Sequence, residues 1–317
     1  MTDADTPARP APKKNIFAQL ELDTRLLGMI GAFVILCLGF HFITDGRFLT
    51  SRNIFNLTIQ TVSVAIMATG MVFVIVTRNI DLSVGSLLAT CSAVMAMTQT
   101  FITPEVFGLG LNHPATAPIA IAVGILTGVA VGAFQGYIIG YLGVPAFIVT
   151  LGGLLIWRNV AWYLTNGQTI GPLDRNFMEF GGINGTLGET WSWVFGIIAV
   201  LFAFYSLWRN RRNKIAHEFP VKPVWAEFAL GAVSAIAILG FVAILNNYDI
   251  PSRRLKQMFA ARGEVMPEGF TQGYGLPISV LLLIAVAVVM TIVARRTRLG
   301  RYIFATGGNP DAAELSG

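Results

Sequence analysis

The chain has 317 residues, of which 54% are hydrophobic and only 12% are charged, and its mean hydropathy is +0.66. Soluble domains usually carry about 25% charged residues, so this composition excludes an ordinary soluble domain and predicts an integral membrane protein. The net charge of +5 is spread too diffusely to indicate a nucleic-acid-binding surface.

Reactive residue types are few and scattered. Cys37 and Cys91 lie within apolar runs, and the three histidines, His41, His113 and His217, are isolated from one another. No disulfide framework or metal-ligand spacing follows. No glycine precedes a lysine, and no serine has glycines spaced as in a nucleophile elbow, which excludes a P-loop and a hydrolase motif in this sequence. The sequence therefore predicts a non-catalytic protein with no cofactor and no metal.

Hydropathy defines the elements in chain order. The first 25 residues, with Pro7, Pro10 and Pro12, predict a disordered tail and not a cleaved signal. An apolar stretch of about 20 residues can cross the bilayer core as a helix. From residue 26 to 317 the chain predicts one all-α, polytopic membrane domain with eight candidate spans: 26–43, 57–77, 83–102, 117–140, 146–165, 191–208, 224–245 and 276–294.

Lysines and arginines in the loops predict the orientation. With the N-terminus inside, the inner segments hold 13 of these residues and the outer loops hold 7, so the tail is expected in the cytoplasm. One predicted outer loop, residues 246–275, carries four of the seven: Arg253, Arg254, Lys256 and Arg262. An odd number of spans would invert the second half of the chain.

Five glycines recur at every fourth position of the fourth span: Gly124, Gly128, Gly132, Gly136 and Gly140. This spacing predicts a ridge of small residues on nearly one helix face, which lets a neighbouring membrane helix come close. Structural packing is the simpler interpretation, and helix sliding is the alternative.

A polar segment, residues 78–86 (RNIDLSVGS), interrupts two long apolar runs. It predicts a tight hairpin or a broken helix. Charges at membrane depth usually mark function, and irregular backbone there must be buried or face water. Two interpretations stay open: a functional site around Asp81, or a structural role in which Asp81 caps the next span and Arg78 extends to the inner headgroups.

The end of the chain predicts a short capped helix. Asn309 suits the N-cap, Pro310 the first helical position, and Asp311 the positive helix end. The next residues favour helix, and Gly317 suits its stop. We therefore expect a helix over residues 310–316 on the basic, inner side; a surface turn leading to another span is the alternative.

Three motifs occur in order: residues 80–86 (IDLSVGS), 144–152 (VPAFIVTLG) and 307–317 (GGNPDAAELSG). Together they resemble the permease subunits of monosaccharide ABC importers, the ribose, galactose, arabinose and xylose group, from residue 26 to the end. Within this family the resemblance is to the D-xylose branch, on residues 44–53 (TDGRFLTSRN) and on the extra pair of spans around the basic segment 209–214.

The resemblance implies a multi-pass permease of the bacterial inner membrane that imports a monosaccharide, D-xylose. A periplasmic sugar-binding protein would deliver the sugar, a second permease copy would complete the pathway, and a cytoplasmic ABC ATPase would supply energy. The family continues past residue 317 with further spans, so the chain is expected to be a fragment or a truncated product. The residues implied to couple to the ATPase are Gly307, Gly308, Asn309, Pro310, Asp311, Ala312, Ala313, Glu314, Leu315, Ser316 and Gly317.

Candidates for the translocation pathway come from the polar segments and these motifs: Asn79, Asp81, Ser83, Phe147, Asn166 and Gln168. The last two belong to residues 166–169 (NGQT), which could hydrogen-bond a sugar at a pathway mouth or form a polar turn after a helix. Arg158 and Asn159 are polar within the fifth span and either pair with a neighbour or face a cavity.

Two other classes compete with the ABC permease. A secondary transporter energised by an ion gradient often shows inverted repeats and buried carboxylates; the sequence has no clear repeat, and Asp81 and Glu227 are the carboxylates in or next to the spans. A membrane-embedded enzyme would need an acid–base pair or a metal set within the spans, and none occurs there.

Overall fold

The structure, a computed structural model, describes residues 23–183, 185–261 and 263–315. The predicted tail lies outside these ranges except for its last three residues, of which Thr24 and Arg25 already belong to the first helix. The regular elements in the described ranges are helices: α1 (Thr24–Ile43), α2 (Ser51–Val76), α3 (Val84–Met97), a π-helical turn (Thr98–Ile102), α4 (Thr103–Phe107), α5 (Thr116–Gly140), α6 (Ala146–Thr165), α7 (Arg175–Gly181), α8 (Gly188–Ala216), α9 (Val224–Asn246), α10 (Ser252–Ala261), α11 (Ile278–Arg296), α12 (Arg298–Gly308) and α13 (Pro310–Leu315).

Eight helical stretches in the described part of the chain are long and apolar enough to cross a membrane. They are α1, α2, the continuous stretch Val84–Phe107, α5, α6, α8, α9 and α11. Each coincides with a predicted span, so the all-α, polytopic fold class is confirmed. Lipid offers the backbone no hydrogen bonds, which is why continuous helices follow the apolar runs so closely.

Helix α8 departs most from its predicted bounds. It has 29 residues and continues to Ala216, where the sequence predicts an end at residue 208 and a basic loop. Arginine, asparagine and lysine are all compatible with a helix, so the basic segment extends the span instead of ending it. At 1.5 Å per residue α8 is about 43 Å long, which exceeds the roughly 30 Å of a hydrocarbon core.

The described chain forms two compact units. The first contains residues up to Phe55 together with Leu187–Leu276, and the second contains Asn56–Thr186 together with Pro277–Gly317. The second unit is therefore discontinuous in sequence. The boundaries of a single membrane domain from residue 26 onward stay a prediction.

Within the first unit, α8 and α9 form a tightly packed pair. A Cβ added at Gly231 would lie 2.5 Å from Cε1 of Phe204, and one added at Gly196 would lie 3.0 Å from Cγ2 of Val242. At the loop between the two helices, Arg211 forms an ion pair with Glu227 at 3.1 Å. Small residues along the seam and a charge pair at its end hold the two helices together.

The predicted outer loop 246–275 contains an amphipathic helix, α10. Its Leu255 is buried, and the guanidinium of Arg254 lies 5.5 Å from the ring centre of Tyr274. Tyr274 stacks on Tyr248 at 4.8 Å, and both contact the ring of Phe55. The described part of the loop is thus a packed structure of the first unit, and Arg253 and Lys256 are exposed cations within it.

Within the second unit, α3, α5 and α6 pack against one another. Their interface contains the buried polar side chains of Ser83, Thr90, Gln135 and Thr150. Thr90 Oγ1, for example, donates to the carbonyl of Trp157 at 2.7 Å. Hydrogen-bonded polar residues and small residues at such interfaces are how membrane helices associate without a hydrophobic driving force.

The glycines of α5 divide into two groups. A Cβ added at Gly124 would lie 2.6 Å from Sδ of Met95 on α3, and one at Gly128 would lie 3.6 Å from Sγ of Cys91. Added at Gly132, Gly136 or Gly140, it would meet no described atom within 4 Å. Residues four apart are displaced by about 40° around a helix of 3.6 residues per turn. The five glycines therefore follow a spiral around α5, and only Gly124 and Gly128 face α3.

The buried residue Asp174 joins the segment before α5, helix α7 and the π-helical turn of the second unit. Asp174 Oδ2 accepts from the backbone of Asn112 at 2.8 Å, and its Oδ1 caps α7. The backbone N–H of Asp174 donates to Gln99 Oε1 at 3.0 Å, in the π-helical turn. This hydrogen-bonded cluster was not predicted, because its residues are far apart along the chain.

Candidate coupling and translocation site

The polar segment between α2 and α3 is a tight hairpin, which we call the 77–83 hairpin. Arg78 N–H donates to the carbonyl of Ile75, and Asn79 N–H to that of Val74, while Arg78 has φ of 63°. This is the Schellman ending of a helix, in which glycine usually occupies the left-handed position. A side chain there costs about 1–2 kcal/mol, so the arginine at this position is unusual.

Asp81 braces the start of α3 through one oxygen. Its Oδ1 accepts from the backbone N–H and from Oγ of Ser83, both at 2.7 Å. Ser83 is the residue that precedes the first helical position, Val84. Asp81 therefore closes a turn around the N-cap residue rather than capping donors within the helix. The structural interpretation of Asp81 holds in this modified form, and its functional role stays a prediction.

Two further polar contacts join the 77–83 hairpin to α5 and α6. Ser83 Oγ lies 3.1 Å from Oε1 of Gln135 on α5, and Thr150 Oγ1 on α6 lies 3.2 Å from the carbonyl oxygen of Ile80. Gly153 on α6 lies directly against the Gln135 amide. The Gln135 amide nitrogen is buried and has no hydrogen-bond partner among the described residues. The hairpin is thus anchored in the packed interior of the second unit.

The terminal helix forms as the sequence predicts. Asn309 has extended backbone angles, its Oδ1 accepts from Ala312 N–H at 3.1 Å, and Pro310 opens α13. The helix is described to Leu315; Ser316 and Gly317 lie outside the described residues. Glu314 is exposed, and the Leu315 side chain is 90% exposed.

Arg78 connects these two segments. Its Nε donates to the carbonyl of Gly307 at 3.1 Å, and its Nη2 to that of Gly308 at 2.9 Å. A Cβ added at Gly307 would collide with the carbonyl oxygen of Val76, so the end of α12 rests directly on the end of α2. The 77–83 hairpin and the predicted ATPase-coupling residues therefore lie at the same end of the second unit.

The remaining pathway candidates are spread along α6. Phe147 lies in its first turn and is exposed. Asn166 ends the helix in the left-handed conformation, and Gln168 N–H donates to the carbonyl of Thr165, as in a polar turn. At 1.5 Å per residue, Phe147 and Gln168 are about 30 Å apart. The structure thus brings Asn79, Asp81 and Ser83 together and leaves Asn166 and Gln168 at the opposite end of α6.

Sequence reasoning missed three features of this site. It predicted no helix α12, although Thr297 caps it through Gly300 N–H; the glycines at both of its ends concealed it. It missed Gln135 because a single amide within an apolar span has no periodic signal. One of its two open interpretations placed Arg78 at the headgroups, whereas the guanidinium lies on the Gly307 and Gly308 carbonyls, 229 and 230 residues further along the sequence.

Arg158 and Asn159 are both exposed on α6. Asn159 Nδ2 donates to the carbonyl of Leu155 at 2.7 Å, which satisfies part of its amide within its own helix. No cluster of three or more His, Cys, Asp and Glu side chains that could hold a metal occurs in the described part of the chain. The chemistry available at the site is hydrogen bonding by hydroxyl, amide and charged groups.

In the described part of the chain, eight helices long and apolar enough to cross a membrane, with hydrogen-bonded polar side chains packed between α3, α5 and α6, define a polytopic α-helical membrane protein. Residues 53–317 match the family described as a branched-chain amino acid transport system permease component. The chain belongs to this permease family.

The similar curated proteins are sugar permeases by name. The chain is 33% identical over 291 residues to the xylose transport system permease protein XylH of Haemophilus influenzae, covering 91% of this chain and 67% of that protein. It is 32% identical over 296 residues to XylH of Escherichia coli, covering 93% and 66%. It is 41% identical over 175 residues to the ribose import permease protein RbsC of Escherichia coli, covering 53% and 50%.

These similarities confirm the resemblance to monosaccharide ABC permeases, and to the xylose branch in particular. The chain spans about two thirds of the length of the xylose permeases that it matches. No solved structure matches it.

Proposed function

We propose that this chain belongs to the membrane-spanning subunit of an ATP-driven importer that carries a monosaccharide, D-xylose, across the bacterial inner membrane. Family membership and the two xylose permeases support this proposal. The subunit itself is non-catalytic in the proposal, because its sequence contains no P-loop. ATP hydrolysis is assigned to a separate cytoplasmic ABC ATPase.

The observation that carries the proposal is the exposed, capped helix α13. Six residues give a rod about 9 Å long, rigid enough to transmit a push from a partner. Its exposed surface includes Glu314 and Leu315, and the small side chains of Ala312 and Ala313 permit close approach. The preceding Gly307–Gly308 backbone is tied to the 77–83 hairpin. We assign residues 307–317 to contact with the ATPase.

The proposed pathway runs along α6 in the second unit. Asn79, Asp81, Ser83 and Phe147 would lie at its inner mouth, and Asn166 and Gln168 at its outer mouth. A second permease copy would supply the opposite wall. Amide groups at both mouths suit a ligand that is rich in hydroxyl groups, because an amide can both donate and accept hydrogen bonds.

The proposed orientation has the N-terminus in the cytoplasm and the loop 246–275 outside. In this orientation the exposed cations Arg253 and Lys256 of α10 face the periplasm and can attract an acidic lobe of the sugar-binding protein, which raises the rate of encounter. Arg254 is engaged by Tyr274 and serves the loop itself.

The central test reverses one exposed charge on α13. Glu314→Arg should weaken association with the ATPase, or uncouple hydrolysis from uptake, because α13 is proposed to lie in an ATPase cleft. The measurement is co-purification of the assembled importer, followed by ATPase stimulation by the sugar-loaded binding protein and uptake of labelled D-xylose in cells.

Glu264→Arg is the matched control, since Glu264 is an exposed carboxylate on the proposed outer side. It should leave association with the ATPase unchanged. Normal assembly, stimulation and uptake in Glu314→Arg would remove the coupling assignment. Uptake that survives a proton ionophore but stops on ATP depletion would separate the importer from an ion-coupled carrier, and the reverse result would favour that carrier.

A further inference from the structure

We propose that Arg78 is a positioning residue that transmits movement of the coupling helix α13 to the packed interior of the second unit. The inference rests on the proposed function as a permease coupled to an ATPase. It concerns a residue that neither the motif resemblance nor the similar proteins assign.

The first support is the geometry of the contact. The last carbonyls of a helix have no partner within the helix and carry its partial negative charge. Arg78 places two parallel N–H groups on two successive carbonyls of this kind, those of Gly307 and Gly308. The planar guanidinium presents its donors in a fixed fork. A flexible ammonium could not fix the direction of the α12 end in the same way.

The second support is the backbone at Arg78. The Schellman ending of α2 holds this residue at φ of 63°, where glycine would be free of strain. Strained residues that persist at a helix end point to a use for the side chain. Here the strained backbone aims the arginine at α12, so the strain and the contact have one explanation.

The third support is where the 77–83 hairpin leads. From Arg78 the chain runs within five residues to Ser83, which contacts Asp81 and Gln135, while Thr150 contacts the carbonyl of Ile80. A displacement of α12 would therefore move a segment that is bonded to α3, α5 and α6. Such a contiguous network is a physical route for coupling, and it requires a direct coupling measurement.

Arg78→Gly separates positioning from stability. Glycine removes the side chain but relieves the left-handed backbone, so the melting temperature of the purified protein should stay unchanged or rise. The assembled importer should still form. D-xylose uptake per ATP hydrolysed should fall at least about fivefold, the lower end of typical coupling between sites. Arg78→Lys should recover only part of this loss.

Arg209→Gln is the matched control, because Arg209 is an exposed cation on the cytoplasmic extension of α8. It should keep normal uptake per ATP. If Arg78 were only a structural cap, Arg78→Gly would lower melting temperature, assembly and uptake together. That outcome, or normal uptake per ATP in Arg78→Gly, would overturn the proposal.

A double-mutant cycle identifies the partner. Gly307→Ala should lift the end of α12 from Val76, because its Cβ collides with that carbonyl. If Arg78 acts through this end, Arg78→Gln should add little to the effect of Gly307→Ala. Fully additive losses in uptake per ATP would show that the two residues act separately and would contradict the proposal.

Hydrogen exchange tests the contact between Arg78 and the end of α12 independently of transport. In wild-type protein the amides of Asn309 and of residues 311–315 should exchange more slowly than in Arg78→Gly, because the Arg78 contact steadies the backbone from which α13 starts. If a wild-type preparation shows no ATPase stimulation but retains this difference, the proposed function fails while the contact stands. Equal exchange in both proteins would refute the contact itself.

Discussion

At the scale of single residues, the 77–83 hairpin separates two carboxylate functions that the sequence could not distinguish. Asp81 uses Oδ1 alone to hold Ser83. The two hydrogen bonds need an acceptor oxygen but not a negative charge. A neutral amide can supply that oxygen, so geometry and charge at this position can be tested independently.

Asp81→Asn should therefore fold normally and transport poorly. The amide oxygen of Asn can accept the same two hydrogen bonds from Ser83, so the loss of stability should stay below about 0.5 kcal/mol, less than the typical net contribution of one hydrogen bond. Uptake should fall several-fold if the charge matters at the inner mouth. The measurements are the melting temperature in detergent and D-xylose uptake.

Asp81→Ala is the companion variant and should lose about 1 kcal/mol, because the acceptor of the two Ser83 hydrogen bonds is gone. Normal uptake by Asp81→Asn would leave Asp81 with its structural role alone.

At the scale of helices, close approach depends on the direction in which each glycine points. Gly124 and Gly128 face α3, whereas Gly132 faces no described atom within 4 Å. The even spacing in sequence suggested one ridge, but the spiral of the helix splits it. The N-terminal half of α5 packs within the chain, whereas the glycine face of its C-terminal half is not covered by described residues.

Gly124→Leu should destabilise the second unit, since a large side chain must displace Met95. Overpacking of this kind typically costs about 1–3 kcal/mol. Gly132→Leu, on the same helix, should leave the melting temperature of the isolated chain unchanged. The comparison is made by thermal unfolding in detergent, and equal destabilisation by both variants would contradict the assignment.

Any effect of Gly132→Leu should appear instead in the oligomeric state measured by light scattering. If a second permease copy packs against the C-terminal half of α5, Gly132→Leu should block that contact and leave the protein monomeric.

Short-range patterns predicted the helices, and long-range contacts escaped them. The N-cap at Asn309 and the eight spans follow from residues within one or two turns of each other. The contacts Arg78–Gly307, Ser83–Gln135 and Asp174–Gln99 each join residues more than 50 positions apart. One sequence contains no spacing rule for such pairs, because helix packing decides them. The residue types were recognised as unusual; their partners were not.

At the scale of the whole chain, the distribution of charge and the proposed topology agree. Arg78 lies in the loop between α2 and α3, and its contact places α12 and α13 at that same end of the second unit. The predicted inner side holds most of the lysines and arginines. The orientation with the N-terminus inside is therefore the one to test.

A cysteine at Ser252 should react with an impermeant thiol reagent added to intact cells. Ser252 is exposed at the start of α10, in the loop proposed to lie outside. The native Cys37 and Cys91 lie within membrane helices and are first replaced by alanine. Asn210→Cys, on the part of α8 proposed to extend into the cytoplasm, is the control and should react only after lysis. The opposite pattern would invert the topology.

The discontinuity of the second unit sets an order of events during synthesis. An interval of 90 residues, 187–276, separates the two parts of the second unit. At about 5–20 residues per second, a ribosome needs roughly 5–18 s to cross this interval. The 77–83 hairpin is therefore made well before the Gly307 and Gly308 carbonyls exist. Arg78 precedes the first of these two carbonyls by 229 residues, so for roughly 11–46 s at that rate its guanidinium has neither acceptor, until α12 is synthesised.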